Sequence, residues 1–199
     1  MKILVVGGGG REHAIAWKLA KSEKVSKIFV APGNGGTAIE NKCENVDITD
    51  IDELVVFAKA NNIDLTFVGP EDPLTKGITD KFKAAGLRCF GPDARGAQLE
   101  GSKAFSKDFM KKYGVKTAQY GTFTECDEAK AYLENCEYPI VIKADGLAAG
   151  KGVVIAATKE EAMNTIDDFM ISDIFKGAGQ KVVIEEFLEK IGTVSYTHL

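Results

Sequence analysis

Short apolar runs over residues 3–6, 27–30, 65–68 and 88–90 alternate with segments 12–21, 51–61 and 75–85, whose apolar residues recur at helical spacing. Strand, helix, strand in repetition leaves few solutions, and the one it specifies is an open parallel sheet with right-handed crossovers. Ligands of such sheets bind beyond the carboxyl ends of the strands. Those ends are rich here in glycine, proline and acid: residues 7–10, "APGNGGT" from Ala31, "GPEDPL" from Gly69 and "FGPD" from Phe90. One edge of the sheet reads as a binding rim.

The second half has a different pattern. Residues 125–135 and 159–169 read as helices, and strands are expected over 139–143, 152–157 and 181–187. The stretch "KADGLAAGKGVVIAA" from Lys143 joins two consecutive strands, which makes it the tip of an antiparallel hairpin. It is not the familiar triphosphate loop GxxxxGK[ST]. Gly146 and Gly150 have three residues between them rather than four, and Lys151 is followed by Gly152 where that loop needs a hydroxyl for magnesium. The pattern changes near Gly101, with no internal repeat and no low-complexity linker. The expected fold is therefore α/β, a Rossmann-like open parallel sheet followed by an α+β domain.

At 199 residues and 45% apolar content the chain can bury a sizeable core. Its net charge of −4, with both signs mixed along the length, gives no basic tract for a nucleic acid. No apolar stretch is long enough for a signal peptide or a membrane span, so a soluble, cytoplasmic protein is expected. Cys43, Cys89, Cys126 and Cys136 lack CxxC spacing and there are two histidines, which disfavours zinc and disulfide frameworks and fits reduced thiols.

The cluster "VVGGGGREHA" follows a strand and opens a helix, but Glu12 stands where a dinucleotide fingerprint needs glycine. No acid ends the second strand either, so NAD is disfavoured. Exposed amides at a helix start suit a small anionic substrate; a tight turn without a ligand is the plainer alternative. His13 reads as a packing or capping residue. Ser102 reads as a helix N-cap. Beyond it, Phe105, Phe109 and Tyr113 form one stripe, and Lys103, Lys107 and Lys111 another on the opposite face, solvated for the most part. Lys103 differs, because a cation in the first turn faces the positive end of the helix dipole unless an anion is there. Lys143 and Lys151, with Gly146, Gly150 and Gly152, read as a lid for phosphate groups. Glu185 and Glu186 of "VIEEFLE" read as acids of an edge strand, either solvated or turned toward an adenine.

Taken in order, "GGGGREHAIAW", "APGNGGTA", "VGPEDPLTKGI", "FGPDARGAQLEGSKAFSKDFM", "PIVIKADGLAAGKGVV" and "VIEEFL" closely resemble the phosphoribosylamine-glycine ligase (glycinamide ribonucleotide synthetase) family of the ATP-grasp superfamily, over residues 1 to about 189. The resemblance implies a substrate-binding pre-ATP-grasp domain over 1–101 and a partial ATP-grasp domain over 102–189. It implies ligation of glycine to 5-phosphoribosylamine through glycyl phosphate, with ATP consumed. By the same likeness Lys103 and Lys143 would contact ATP phosphates, with Lys143 also near the adenine. Gly146, Gly150, Lys151 and Gly152 would close over the phosphates, and Glu185, Glu186 and Leu188 would meet the adenine edge. Gly9, Gly10, Arg11, Glu12 and Glu71 would line the substrate side. No catalytic residue is assigned. The family's magnesium or manganese ligands come from a region this chain lacks, so little turnover is expected of it alone. The segment 190–199 departs from the expected pattern and reads as the product of a truncated gene. Another ATP-grasp carboxylate-amine ligase and a non-catalytic nucleotide-binding module are the alternatives.

Overall fold

In the computed structural model, which describes residues 1–146, 152–172, 174–175 and 177–188, the first apolar run forms β1 (Lys2–Gly7), buried from Ile3 onward. α1 (Gly10–Ala20), β2 (Lys27–Pro32), β3 (Cys43–Asn45), α2 (Ile51–Ala60), β4 (Leu65–Val68), α3 (Glu71–Thr75), α4 (Ile78–Ala84) and β5 (Cys89–Phe90) follow. The sheet runs β3-β2-β1-β4-β5 and every pair is parallel. Ile3, Val5, Ile28 and Val30 pack under Ala16 and Ala20 of α1. Leu4, Val6, Phe29 and Ala31 pack on the other side against Leu54 and Ala58 of α2 and Ile78 and Phe82 of α4. With both faces covered there, the strands read as continuous apolar runs rather than alternating ones.

Two differences from the sequence expectation have plain causes. The segment 75–85 is not one helix: α3 and α4 are separated at Gly77, whose φ of 82° places it in the left-handed region that interrupts a helix. β3, "CEN", is too short and polar to give a periodic signal.

The chain divides into two compact units, Met1–Gln98 and a second beginning at Leu99, with α5 (Ala94–Gly101) spanning the division. The second unit contains α6 (Lys103–Lys112), β6 (Tyr120–Phe123), α7 (Cys126–Leu133), β7 (Ile140–Ala144), β8 (Val153–Ala156), α8 (Lys159–Ile166) and β9 (Val182–Glu186), with a π-helical turn over Asp167–Ile171 after α8. Its sheet, β6-β9-β7-β8, is antiparallel throughout. Ile140, Ile142, Ala144, Val182 and Ile184 point to one face and bury against Ala129 and Leu133 of α7, Ala162 and Ile166 of α8, and Phe169. The period of two then sends Val141, Lys143, Val183 and Glu185 to the other face.

The expected antiparallel hairpin is β7–β8, with Lys143 opposite Val153. Its tip, residues 147–151, and the segment 189–199 lie outside the described residues. Two expectations are corrected. β9 is an interior strand, not an edge, so its acids have neighbours on both sides. Lys107 is not solvated; it is 7% exposed and engaged beneath α6. Among the described residues no helix is long and apolar enough to cross a membrane.

Candidate functional site

The first unit brings the glycine-rich turns after β1 and β2 and the turn after β4 to the carboxyl ends of its strands. In the order 3-2-1-4-5 the direction of crossover reverses between β1 and β4, the switch point at whose carboxyl ends such sheets place their ligands. Gly7 closes β1 with a φ of 127°, a value L side chains rarely adopt, and the turn leads through Gly8 and Gly9 into α1. Glu12 folds back from the first turn of α1 and accepts a hydrogen bond from Gly9 N–H at 2.7 Å through Oε2. This is half of a capping box, since Gly9 has no side chain to return the bond.

The Glu12 carboxylate, 3% exposed, sits among three glycines. Cβ atoms built on Gly7, Gly9 and Gly69 would each collide with it. Its Oε1 is buried with no hydrogen-bond partner among the described residues. Glu12 thus packs between the turn after β1 and the turn after β4. Arg11, exposed, and Glu71, half-buried, pair across the same two turns at 3.2 Å. Asn34, from the loop after β2, donates to the Gly8 carbonyl at 3.0 Å and holds the glycine turn from its other side. One amide and a share of the positive end of the α1 dipole serve Glu12. His13 is the packing residue expected, with Nε2 3.0 Å from Glu40 Oε1 and its ring over Gly36.

The second unit assembles the phosphate-binding candidates on the sheet face opposite its core. Glu185, 5% exposed, lies between two ammonium groups, with Lys143 Nζ 2.7 Å from Oε1 and Lys107 Nζ 2.7 Å from Oε2. Glu185 is thus a carboxylate shared between two cations at equal distance. Lys107 also donates to Thr117 Oγ1 at 2.7 Å and lies over the Tyr120 ring. Lys103 Nζ donates to the Gly146 carbonyl at 3.0 Å. Burial pushes the Lys103 ammonium below its ordinary value and neighbouring Lys143 adds to that, while Asp145 and Glu185 pull the other way.

Asp145 is the residue that the sequence patterns did not single out. It follows β7 and places its carboxylate at the α6 N-terminus, where Ala104 N–H donates to Oδ1 at 2.6 Å and the Ser102 hydroxyl donates to both oxygens at 3.0–3.1 Å. Ser102 is the N-cap expected, accepting from Phe105 N–H. Asp145 is the anion that Lys103 requires in a first turn, supplied by the chain itself. Lys181 Nζ stands 3.6 Å from Asp145 Oδ2. In this neighbourhood the four ammonium groups of Lys103, Lys107, Lys143 and Lys181 outnumber the carboxylates of Asp145 and Glu185. An arrangement with surplus positive charge and a half-buried Lys143 can take an anion.

Beside the lysines the same face presents Val141, Val183 and the exposed Val153 and Ile155, an apolar strip of the kind a planar base covers. Gly146 and Gly152 flank the hairpin tip; Gly150 and Lys151 fall outside the described residues. Glu186 and Leu188 are not brought to this face. Glu186 alternates to the other side, where its Oε1 accepts from Gln119 N–H at 2.9 Å, and with Leu188 it lines a cleft of about 850 Å³ beside Tyr138 and Pro139. Among the described residues no group of three or more His, Cys, Asp or Glu side chains is placed to hold a metal ion.

Comparison with known proteins follows the two units. Residues 1–100 match the model of the phosphoribosylglycinamide synthetase N domain, and residues 101–197 match that of the phosphoribosylglycinamide synthetase ATP-grasp (A) domain. The second match runs into the segment 190–199 that the sequence analysis sets apart. The chain is 63% identical over 191 residues to the phosphoribosylamine-glycine ligase of Clostridium acetobutylicum, covering 96% of this chain and 46% of that protein. It is 55% identical over 200 residues to the one of Halalkalibacterium halodurans, covering all of this chain and 47% of the other. The crystal structure of the phosphoribosylamine-glycine ligase of Thermotoga maritima superposes with a TM-score of 0.74 at 33% identity, over 94% of this chain and 44% of that one. The chain spans a little under half the length of these relatives.

Proposed function

The chain belongs to the phosphoribosylglycinamide synthetase family, and from that premise we propose that it carries the substrate-binding and nucleotide-binding portions of an ATP-dependent ligase joining glycine to 5-phosphoribosylamine. The γ-phosphoryl group of ATP passes to a carboxylate oxygen of glycine as its bond to the β-phosphate oxygen breaks and ADP leaves. The amine of phosphoribosylamine then attacks the acyl carbon, the bond to phosphate breaks, and the nitrogen loses a proton, giving glycinamide ribonucleotide. The mixed anhydride replaces a poor leaving group by phosphate, and the charge spread over the phosphoryl oxygens calls for fixed cations.

The observation that carries this reading is the surplus of the ammonium groups of Lys103, Lys107, Lys143 and Lys181 over the carboxylates of Asp145 and Glu185, set beside the apolar strip of Val153 and Ile155. The base would lie on that strip and the phosphates against Lys103 and Lys143, with Gly146 and Gly152 at the root of the closing hairpin. Glu185 would face the base, and the backbone near Glu186 and Leu188 would reach its edge. Gly9, Gly10, Arg11, Glu12 and Glu71 frame the rim where the phosphoribosylamine would sit, with Glu12 acting as a brace within it. The unpaired thiols of Cys43, Cys89, Cys126 and Cys136 fit a reducing cytoplasm.

Lys143→Ala tests the assignment. A lysine near a phosphate oxygen in a partly dry site contributes up to about 4 kcal/mol, so calorimetry is expected to show ATP binding weakened at least about tenfold. Unchanged ATP affinity would refute the placement of the phosphates.

A further inference from the structure

Lys107 lies away from the hairpin, and nothing in its sequence position marks it as functional. The structure buries it against Glu185, with side-chain exposures of 9% and 7% for the two partners, and holds its ammonium additionally at Thr117 Oγ1. Such a pair gains little stability over a well-packed apolar one, because desolvating both charges offsets their attraction. Its presence calls for another explanation, and the second oxygen of Glu185 supplies one: it is the partner of Lys143.

We infer that Lys107 is a positioning residue for the nucleotide, acting through Glu185 on Lys143. Glu185 alone would bind Lys143 as a full counter-ion and hold it on the sheet, since an isolated buried carboxylate attracts the nearest cation strongly. Lys107, fixed by Thr117, neutralises that carboxylate from beneath. Lys143, whose side chain is 27% exposed, then shares this carboxylate with a second cation rather than owning it, and its charge is available to a phosphate group arriving from the open side. Lys107 touches no phosphate itself. Its effect is to set how much of the Lys143 charge the ligand feels.

This inference rests on the nucleotide reading of the site, and one pair of ligands separates the two. Calorimetry of the 199-residue chain with ATP and with adenosine gives a preference for ATP that measures the phosphate contribution. Lys107→Met is expected to cut that preference about tenfold with adenosine affinity unchanged, whereas Lys107→Arg keeps it. Adding Glu185→Gln to Lys107→Met restores the preference, because Lys143 loses its competing counter-ion. Should Lys107→Met fail to fold, Lys107→Gln, which removes the charge but keeps a donor for Thr117 Oγ1, decides the matter by the same loss of preference. An unaltered preference in these variants, or an equal loss for both ligands, overturns the role of Lys107. An absence of any preference for ATP in the unsubstituted chain overturns the nucleotide reading, and this inference with it.

Discussion

Gly69→Ala offers the sharpest test of how the first unit holds its rim. The new Cβ would stand 2.6 Å from both Cγ and Cδ of Glu12, and closer still to Oε1. A solvated glutamate would swing aside at little cost, but this one is buried and hydrogen-bonded to Gly9 N–H, with Gly7 and Gly9 closing its other flanks. Overpacking costs about 1–3 kcal/mol, and a displaced charge-assisted hydrogen bond about 1.5–3 kcal/mol more. Because either relaxation relieves the other in part, the net loss is expected near 2–4 kcal/mol.

Urea denaturation followed by Trp17 emission is the assay. This is the chain's one tryptophan, it lies on α1 with Glu12, and the Lys21 ammonium sits 3.5 Å from its ring centroid, so unfolding changes its surroundings. With a slope of about 1–3 kcal/mol/M, the midpoint should fall by roughly 1–2 M. In a Glu12→Ala background the same glycine substitution should cost less than about 0.5 kcal/mol, leaving a coupling energy of about 2 kcal/mol or more. Additive effects would refute the claim that Glu12 and Gly69 meet in the way described.

Asp145→Ala removes the acceptor of Ala104 N–H and of the Ser102 hydroxyl at the α6 start, a loss of about 2 kcal/mol, and far-UV dichroism should show the melting temperature lowered by roughly 4–8 °C. Asp145→Asn keeps an acceptor for the amide and should lose less than half of that. The lowered Lys103 ammonium predicts that ATP affinity, followed by calorimetry, begins to fall with rising pH below the usual lysine range, and that Lys103→Arg abolishes this early fall. Its effect on folding has the opposite sense. The native state is penalised while Lys103 is charged in both states, and the penalty is relieved as pH climbs from the native value toward the unfolded one.

The parallel sheet was legible because its strands are buried on both faces and its helices are amphipathic, so both periods stand out. The break at Gly77 was not, since a glycine inside a helical pattern is usually tolerated, and only the backbone shows its left-handed turn. In the second unit the hairpin β7–β8 was readable from two apolar runs about a glycine-rich link. The interior place of β9 was not, because strand order depends on contacts distant in sequence and β6, "YGTF", gives almost no signal. That hidden neighbour is why Glu185 looked like an edge acid. Lys107 misled for a related reason: its helical stripe marks a face of α6, but a stripe cannot say whether the face meets water or a buried carboxylate. Asp145 was in view within "KADG", and its capping of α6 became apparent only once Ser102 and Ala104 were seen beside it.

The consecutive acids of β9 guard the alignment of the whole ladder. Were that strand to shift by one position against β7, Glu186 would turn toward the lysines in place of its neighbour. Glu185 would then be driven in among Ile140, Ile142 and Leu133, where Ile184 now stands. A charge with no counterpart there penalises that slip, and the opposite slip sets Ile184 against Lys107 and Lys143 and strips both of their carboxylate, so the doublet keeps a single pairing while leaving just one of its members on the side of the sheet that faces the cations.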